Sequence, residues 1–387
     1  MGKKIHTYAF LHGLLSLLVI ISLFCIIGCK KDVTWKLGKP FQKTKIKIGV
    51  IFSSGSGDDS LYDKAHYNGL KEMQKNLGLA DSQIILKFDV FYGDAAAAEG
   101  AMRDCIAEGA NVIIATTWGY MDTCEKLAAE FPSVVFAHAS GTKYNNTNFT
   151  NYFGRVYQAR YLSGIVAGAQ TKTGKIGYVA AMGKENSEVT GGINAFALGA
   201  EKINPEAKIY VKVTYSWIDP IEETLAAKEL IAAGCDVIAQ HCDTTVPQVE
   251  AEKAGVWGIG YNSDTSAGYS STLLTSVMWR WGVYYTSLIK SIITGSYTSN
   301  PWLGSLKNGI VDISPLNKDL LWETDALTML DNERERIKSG ESDVFYGVMK
   351  TNDGRVVGET GKNMPDDLIL SGIDWYYVNV IELKNNE

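Results

Sequence analysis

The chain has 387 residues, which is long enough for two folded units of ordinary size. Its hydrophobic content of 46% and charged content of 21% are typical of a globular protein. The formal net charge is −6, and no basic cluster of the kind that binds nucleic acid is present. The composition therefore argues against a nucleic-acid partner.

The N-terminus has the pattern of a bacterial secretory signal. Lys3 and Lys4 precede an apolar run from Leu14 to Ile27, and a small residue and Cys29 follow, as in a lipobox. We therefore predict a signal peptide over residues 1–28, with Cys29 as the lipidated first residue of the mature chain. This places the protein on the extracytoplasmic face of the cell membrane, anchored by lipid.

Residues 29–44 would then form a polar tether between the lipid and the fold. The alternative is an uncleaved membrane anchor, because residues 9–28 are nearly long enough to span a bilayer. The cysteines beyond the tether show no metal-type spacing, and we expect buried free thiols at Cys105, Cys124, Cys235 and Cys242.

The first predicted unit of the fold is a strand, a glycine-containing loop and a helix. Residues 47–52 form a short apolar run, residues 53–59 a loop, and residues 61–77 carry apolar side chains at helical spacing. A similar strand recurs at 175–180. The octets 107–114 and 232–239 also match one another, so the sequence predicts two similar α/β lobes, each with a parallel sheet.

The remaining elements alternate along the chain. We predict that lobe 1 comprises residues 45–152 plus about 270–305, and lobe 2 residues 153–269 plus about 306–387. In this division a strand at 273–277 and a helix at 279–294 return to the first lobe. The other predicted strands are 83–92, 111–116, 134–137, 175–181, 208–215, 237–240 and 256–261, and the other helices are 95–108, 121–130, 156–170 and 325–339.

Polar and aromatic side chains follow many of the predicted strands. In open parallel sheets, ligands bind beyond the carboxyl ends of the strands. The alternative is that Asp and Asn at these points cap helices. The recurrence in both lobes favours a ligand site between them. The residues concerned are Asp58, Trp118, Asn186, Glu188, Trp217, His241, Asp243, Asn262 and Asp264.

The chemistry of these residues narrows the class of ligand. The loop at 53–59 lacks the third glycine of a dinucleotide fingerprint, and Asp58 and Asp59 occupy the helix N-terminus where a phosphate would bind. Tyr62, Trp118 and Trp217 offer flat faces for stacking on a ring. A sugar and an uncharged heterocycle both remain possible, whereas a nucleotide is excluded.

Catalysis has little support in the sequence. His241 lies close to Asp243, but no third ligand at metal-type spacing accompanies them. Neither a Gly-x-Ser-x-Gly elbow nor a His-Glu-x-x-His helix is present. We therefore predict binding without chemistry, and no cofactor or metal.

Several long motifs resemble those of the bacterial basic-membrane-protein family of substrate-binding lipoproteins. This resemblance implies a type I periplasmic-binding-protein fold with three crossings between the lobes. It also implies a monomer that delivers a purine base or nucleoside to an ABC-transporter permease. The motifs are NYFGRVYQARYLSG at 151–164, TGKIGYV at 173–179, DVIAQH at 236–241, IGYNSD at 259–264, TSVMWRWG at 275–282 and DISPL at 312–316.

The resemblance also assigns roles to individual residues. It implies that Asp58 and Asp59 contact the ligand, that Tyr62 and Trp217 stack on a base from opposite lobes, and that Asp264 binds ribose hydroxyls. Asp63 and Trp118 match an Asn and a Phe of the family. Trp279 stands where nucleoside receptors have a Lys. The motifs YNSD at 261–264 and WRWG at 279–282 are more similar to the purine-base branch of the family. With Asn186 and Asp243, these residues form the predicted site.

Other functions remain possible from the sequence. A receptor for a sugar or an autoinducer would share the fold, and a sensor or an adhesin would share the anchor. An enzyme such as a nucleosidase would release product from inosine, which we do not expect.

Overall fold

The computed structural model describes residues 38–55, 60–266, 268, 271–317 and 324–384. The predicted signal peptide, Cys29 and the two loop acids Asp58 and Asp59 lie outside the described residues. Within those ranges, no helix is both long enough and apolar enough to span a membrane.

The first lobe is built around a six-stranded sheet in which every strand pairs in parallel. The order across the sheet is β11 (Trp302–Gly304), β5 (Phe149–Gly154), β4 (Val135–Ala139), β3 (Val112–Ala115), β1 (Ile48–Ile51), β2 (Ile84–Lys87). Its first elements are β1 (Ile48–Ile51), α1 (Leu61–Leu77), β2 (Ile84–Lys87), α2 (Ala95–Ala107), β3 (Val112–Ala115), α3 (Met121–Glu130), β4 (Val135–Ala139) and β5 (Phe149–Gly154).

The second lobe contains a seven-stranded sheet, in which β12 (Val311–Ile313) is antiparallel to its neighbour and the other pairs are parallel. The order across the sheet is β12, β10 (Leu273–Trp279), β9 (Trp257–Asn262), β8 (Val237–His241), β6 (Lys175–Ala180), β7 (Lys208–Val213), β15 (Val380–Glu382). Its elements up to the next crossing are α4 (Val156–Gln170), β6 (Lys175–Ala180), α5 (Ser187–Ile203), β7 (Lys208–Val213), α6 (Pro220–Ala232), β8 (Val237–His241), α7 (Val246–Ala254), β9 (Trp257–Asn262) and β10 (Leu273–Trp279).

The rest of the chain returns to the first lobe and then completes the second. The helix α8 packs against α1, and β11 joins the edge of the first sheet, whereas β12 and β15 belong to the second sheet. These last elements are α8 (Gly282–Thr294), β11 (Trp302–Gly304), β12 (Val311–Ile313), α9 (Thr324–Ser339), the hairpin β13 (Tyr346–Lys350) and β14 (Val356–Asn363), α10 (Asp366–Ser371) and β15 (Val380–Glu382).

The chain thus crosses between the lobes after β5, after β10 and after β11, as the family resemblance implies. One expectation about these crossings is wrong. We expected the strand at 273–277 to return to the first lobe, but β10 pairs in parallel with β9 and antiparallel with β12 in the second sheet. The return therefore begins after Trp279, which ends the strand instead of starting the helix.

Local sequence explains where the helices begin and end. The hydroxyl of Ser60 accepts a hydrogen bond from Asp63 N at 3.2 Å and caps α1, which ends at Gly78 with a φ of +59°. Asp219 caps α6, and Pro220 occupies its first turn. These caps set α1 and α6 directly after the strand-end loops that form the site.

The cores contain the four cysteines of the described residues as free, buried thiols, as expected. Cys105 and Cys124 lie in the first-lobe core, and Cys235 and Cys242 in the second. The helix α4 is buried over nearly its whole length and packs closely on α5, where Gly164 and Gly199 leave no room for a side chain.

Candidate ligand-binding site

The two lobes touch at the N-terminus of α1. The backbone N–H of Leu61 donates a hydrogen bond to the carbonyl oxygen of Asp243 at 2.8 Å, joining the first lobe to the loop that follows β8. Burial raises the pKa of Tyr62, and the charges of Glu188 and Asp63, one from each lobe, raise it further. The structure is therefore a closed conformation, with strand ends of both sheets facing one another.

On the first-lobe side, α1 presents Tyr62 and Asp63. The hydroxyl of Tyr62 donates to the carbonyl oxygen of Thr116 at 2.9 Å, and its ring meets His66 edge-on at 4.5 Å. Tyr62 is therefore held in place before any ligand binds.

Asp63 has a structural role in the same lobe. Its carboxylate accepts hydrogen bonds from Ser53 Oγ at 2.9 Å and from Ser54 N and Oγ at 2.8 and 2.7 Å. Its burial raises its pKa, while these hydrogen bonds lower it. Asp63 thus holds the loop after β1 against the start of α1. Its charge also raises the pKa of Tyr62 and of Asp243.

On the second-lobe side, Asp243 and Asn262 form a buried pair at the ends of β8 and β9. The Nδ2 of Asn262 donates to Asp243 Oδ1 at 2.8 Å, while Asn262 Oδ1 is buried and has no hydrogen-bond partner. Asn262 also adopts a φ of +68°, a strained value for a residue other than glycine. An orphaned acceptor on a strained backbone is the kind of group that a ligand satisfies.

The pKa of Asp243 is raised to about 8, chiefly because burial disfavours the charged form. The hydrogen bond from Asn262 opposes this shift, and the neighbouring charges of Asp63, Glu188 and Glu223 add to it. The backbone N–H of Asp243 also donates to Trp217 O at 2.8 Å. The loop that contains Trp217 therefore supports Asp243, whose carbonyl oxygen bonds to the first lobe.

His241 lies at the centre of the second-lobe side and is completely buried. Its ring meets Trp217 edge-on at 6.0 Å and Tyr261 at 4.7 Å, and its Nδ1 is 3.1 Å from the hydroxyl of Tyr178. Its Nε2 lies 3.7 Å from Glu188 Oε1. Burial holds the pKa of His241 well below its usual value, so the imidazole is neutral at pH 7.

Glu188 is in the first turn of α5, and its side chain is 23% exposed. Burial raises its pKa to about 7, and the positive charge of Arg160 opposes the shift. Arg160 itself is fully buried, with its guanidinium carbon 3.9 Å from the centre of the Tyr261 ring.

Trp279 belongs to a stack of three rings that joins the lobes. It lies 4.4 Å from Trp281, with the planes 12° apart, and Trp281 lies 4.3 Å from His66 on α1. The Nε1 of Trp279 donates to the hydroxyl of Tyr261 at 3.1 Å. Trp279 is 4% exposed, and it orients Tyr261 at the back of the site.

The other predicted residues lie differently. Trp118 is 60% exposed in a single helical turn after β3. Asn186 accepts from Val189 N at 3.0 Å as the cap of α5, which was the alternative considered from the sequence. Asp264 is exposed, and its carboxylate accepts from Ser266 N at 3.0 Å. Tyr62 and Trp217 are both partly buried in opposite lobes, and Trp217 packs against the core of the second lobe.

Four residues near the centre were not included in the predicted site, although three of them were noted from the sequence. Glu188, His241 and Asn262 follow predicted strands, and that position was the available signal. Arg160 gave no signal, because it lies within a helix that reads as a core element. None of the described residues form a group of three His, Cys, Asp or Glu side chains able to hold a metal ion.

Comparison with known families gives one extensive match. The profile of a family described as ABC transporter substrate-binding protein PnrA-like, abbreviated Bmp, matches residues 45–345. The hairpin β13–β14, α10 and β15 lie beyond the matched region.

Two relatives differ in the ligand given in their names. A purine-binding protein of Brucella abortus is 34% identical over 344 residues, covering 89% of this chain and 95% of the relative. A putative ABC transporter glucose-binding protein of Haloferax volcanii is 36% identical over 237 residues, covering 61% of this chain and 59% of the relative.

The fold has counterparts among solved structures. An ABC transporter solute-binding protein of Conexibacter woesei superposes with a TM-score of 0.64 at 22% identity, covering 76% of this chain and 97% of that chain. At this identity the similarity concerns the fold.

Proposed function

Because the chain belongs to the Bmp family of PnrA-like ABC transporter substrate-binding proteins, we propose that its ligand is a purine base or purine nucleoside. The ligand binds between the lobes and is handed to the permease of an ABC transporter. The family and fold are those of solute-binding proteins, which are not enzymes.

The observation that supports a purine most directly is the Asp243–Asn262 pair. It places a carboxyl group and an unpartnered amide oxygen together at the strand ends. The backbone of Asp243 bonds to Leu61, next to Tyr62, and to Trp217. A purine offers a flat face for the rings and N–H donors for the oxygens. The purine-binding relative, which aligns over nearly its whole length, supports the same class.

The closed conformation suggests how binding is reported to the permease. A base held between Tyr62 and Trp217 would contact both lobes and so favour the conformation in which Leu61 bonds to Asp243. Ligand-driven hinge closure is the general mode for proteins of this fold. The permease would then distinguish loaded from empty receptor by its conformation.

We further propose that the mature protein is attached to the membrane through a lipid on Cys29. The support is the lipobox-like sequence that ends the apolar run of the N-terminus. Attachment would hold the receptor near the permease. The tether would be shorter than the predicted residues 29–44, because Phe41 is buried and its N–H donates to Ile292 O in the first lobe.

Titration calorimetry tests the ligand. A soluble fragment starting at residue 31 would be titrated with adenine, guanine, hypoxanthine, their nucleosides and glucose. We expect micromolar or tighter binding of at least one purine and no binding of glucose. Glucose binding without purine binding would instead support the ligand class named for the Haloferax relative.

A further inference from the structure

The first crossing between the lobes consists of a single residue, Arg155, which lies between β5 and α4. Its backbone N–H donates to Gly304 O at 2.9 Å, and its Nη1 donates to Leu303 O, also at 2.9 Å. Both acceptors belong to β11, at the edge of the first sheet. The backbone and the side chain of Arg155 are therefore both fixed to the first lobe.

The other two nitrogen atoms of this guanidinium bind Asp366 in the C-terminal segment. Nε donates to Oδ1 at 3.0 Å and Nη2 donates to Oδ2 at 2.5 Å, which is the parallel arrangement of the strongest pairs between Arg and a carboxylate. Asp366 is in the first turn of α10, whereas the family profile ends at residue 345. The acid of this pair is thus contributed by the segment beyond the profile.

The C-terminal segment is part of the second lobe. The helix α10 packs against α5, and the side chain of Asn194 on α5 donates to Trp375 O and accepts from Tyr377 N, both at 2.8 Å. Farther on, β15 pairs with β7 in the second sheet. Asp366 is therefore held by the second lobe, and its pair with Arg155 joins the two lobes at the hinge.

The geometry of this pair depends on the angle between the lobes. Arg155 is held by two carbonyl groups of the first lobe, and Asp366 is held by a helix of the second. A rotation of one lobe against the other therefore changes both the distance and the angle between the guanidinium and the carboxylate. Two parallel hydrogen bonds tolerate little of either change. Both bonds are formed in the closed conformation.

We propose that Asp366, a residue outside the predicted ligand site, stabilises the closed conformation by acting through Arg155 as a positioning residue. Opening of the lobes then requires the guanidinium to give up either Asp366 or Leu303 O. The Arg155 side chain is 22% exposed and that of Asp366 is 46% exposed, so water replaces the lost bonds and the effect is moderate. Loss of the Asp366 charge should therefore favour the open conformation.

The amide of Leu61 measures closure directly. Leu61 is the first residue of α1, where backbone N–H groups have no partner within the helix. Its N–H donates instead to Asp243 O in the second lobe, so its protection from hydrogen–deuterium exchange depends on the closed lobes. This measurement needs no ligand, and it gives a result whether or not the protein binds purines.

The test compares Asp366→Asn with Asp367→Asn in the soluble fragment that starts at residue 31. Asp367 is exposed and lies in the same first turn of α10, so its substitution removes the same charge and the same interaction with the helix dipole. Asp366→Asn should speed exchange of the Leu61 amide by about threefold to tenfold, as expected for a charge-assisted pair of this exposure. Asp367→Asn should leave the exchange rate of Leu61 unchanged.

A second amide separates closure from general stability. The amide of Ile114, in the central strand β3, exchanges only when the first lobe unfolds. If Asp366 served the stability of the fold alone, Asp366→Asn would speed exchange at Ile114 and leave Leu61 at the wild-type rate. That result would overturn the proposal, as would equal acceleration of Leu61 in both variants or a Leu61 amide that is unprotected in the wild-type protein.

Discussion

Closure of the ligand-free protein should weaken as pH rises, and Asp243 should be the main cause. In the closed structure Asp243 is 8% exposed, and its pKa is raised to about 8. In an open conformation the same carboxyl group returns to water, where its pKa is about 3.9. Between these two values the closed state binds a proton that the open state does not.

The sign and size of the effect follow from this difference. Below about pH 4 the carboxyl group is protonated in both states, so closure does not bury a charge. As pH rises from about 4 to about 8, closure requires the group to take up a proton, and the closed state becomes less favourable. Each pH unit within the range lowers the closure equilibrium by up to about tenfold for one group. Glu188, with a pKa raised to about 7, adds a second and narrower dependence of the same sign.

Small-angle scattering of the ligand-free fragment would measure this equilibrium. The radius of gyration should increase from about pH 5 to about pH 8 at constant ionic strength. Asp243→Asn, which keeps the hydrogen-bonding shape without the charge, should flatten the profile, whereas Glu222→Gln, on the exposed side of α6, should not. A radius that is the same across the range, or a profile that Asp243→Asn leaves unchanged, would refute the reasoning.

Five further substitutions test separate parts of the protein. Trp281→Ala should lower the free energy of unfolding by about 3–5 kcal/mol in a urea titration, because the ring is completely buried in the stack. Trp118→Ala removes an exposed ring and should lower it by at most about 0.5 kcal/mol. Equal losses for the two variants would contradict the assigned burial. Trp217→Ala should weaken purine binding by about 2–4 kcal/mol in calorimetry, and unchanged affinity would show that this ring does not stack on the ligand. Asp264→Ala should spare free bases, because its carboxylate is exposed and bonded to Ser266 N; loss of adenine affinity would contradict this. Cys29→Ser should abolish labelling with radioactive fatty acid and leave unprocessed precursor, and a labelled variant would exclude lipidation at Cys29.

The local part of the fold could be predicted from the sequence. Apolar runs of four to six residues define buried strands, and helical spacing defines α3 and α4, whose observed bounds equal the predicted ones. The lobe to which β10 belongs could not be predicted in this way. That assignment depends on pairing with β9 and β12, and the sequence of a buried strand does not specify its neighbours.

The site shows the same division. Positions after strands were predictable, so Asp243 and Trp217 were found, and Glu188 and Asn262 were at least noticed. The direction of each side chain was not predictable, because it depends on the local turn. Asp264 bonds to its own loop and points outward, whereas Asn262, two residues earlier, is turned inward by a positive φ. The burial of Arg160 beneath Tyr261 depends on tertiary packing alone.

The strand β15 has a consequence for how the protein can be handled and stored. It covers β7 through hydrogen bonds such as Leu383 N to Val211 O at 2.9 Å. A chain ending before Val380 would leave β7 as an open edge with unpaired backbone groups. Such edges recruit strands from other molecules, which leads to aggregation. Fusion tags are therefore better added after the last residue than in exchange for the final segment.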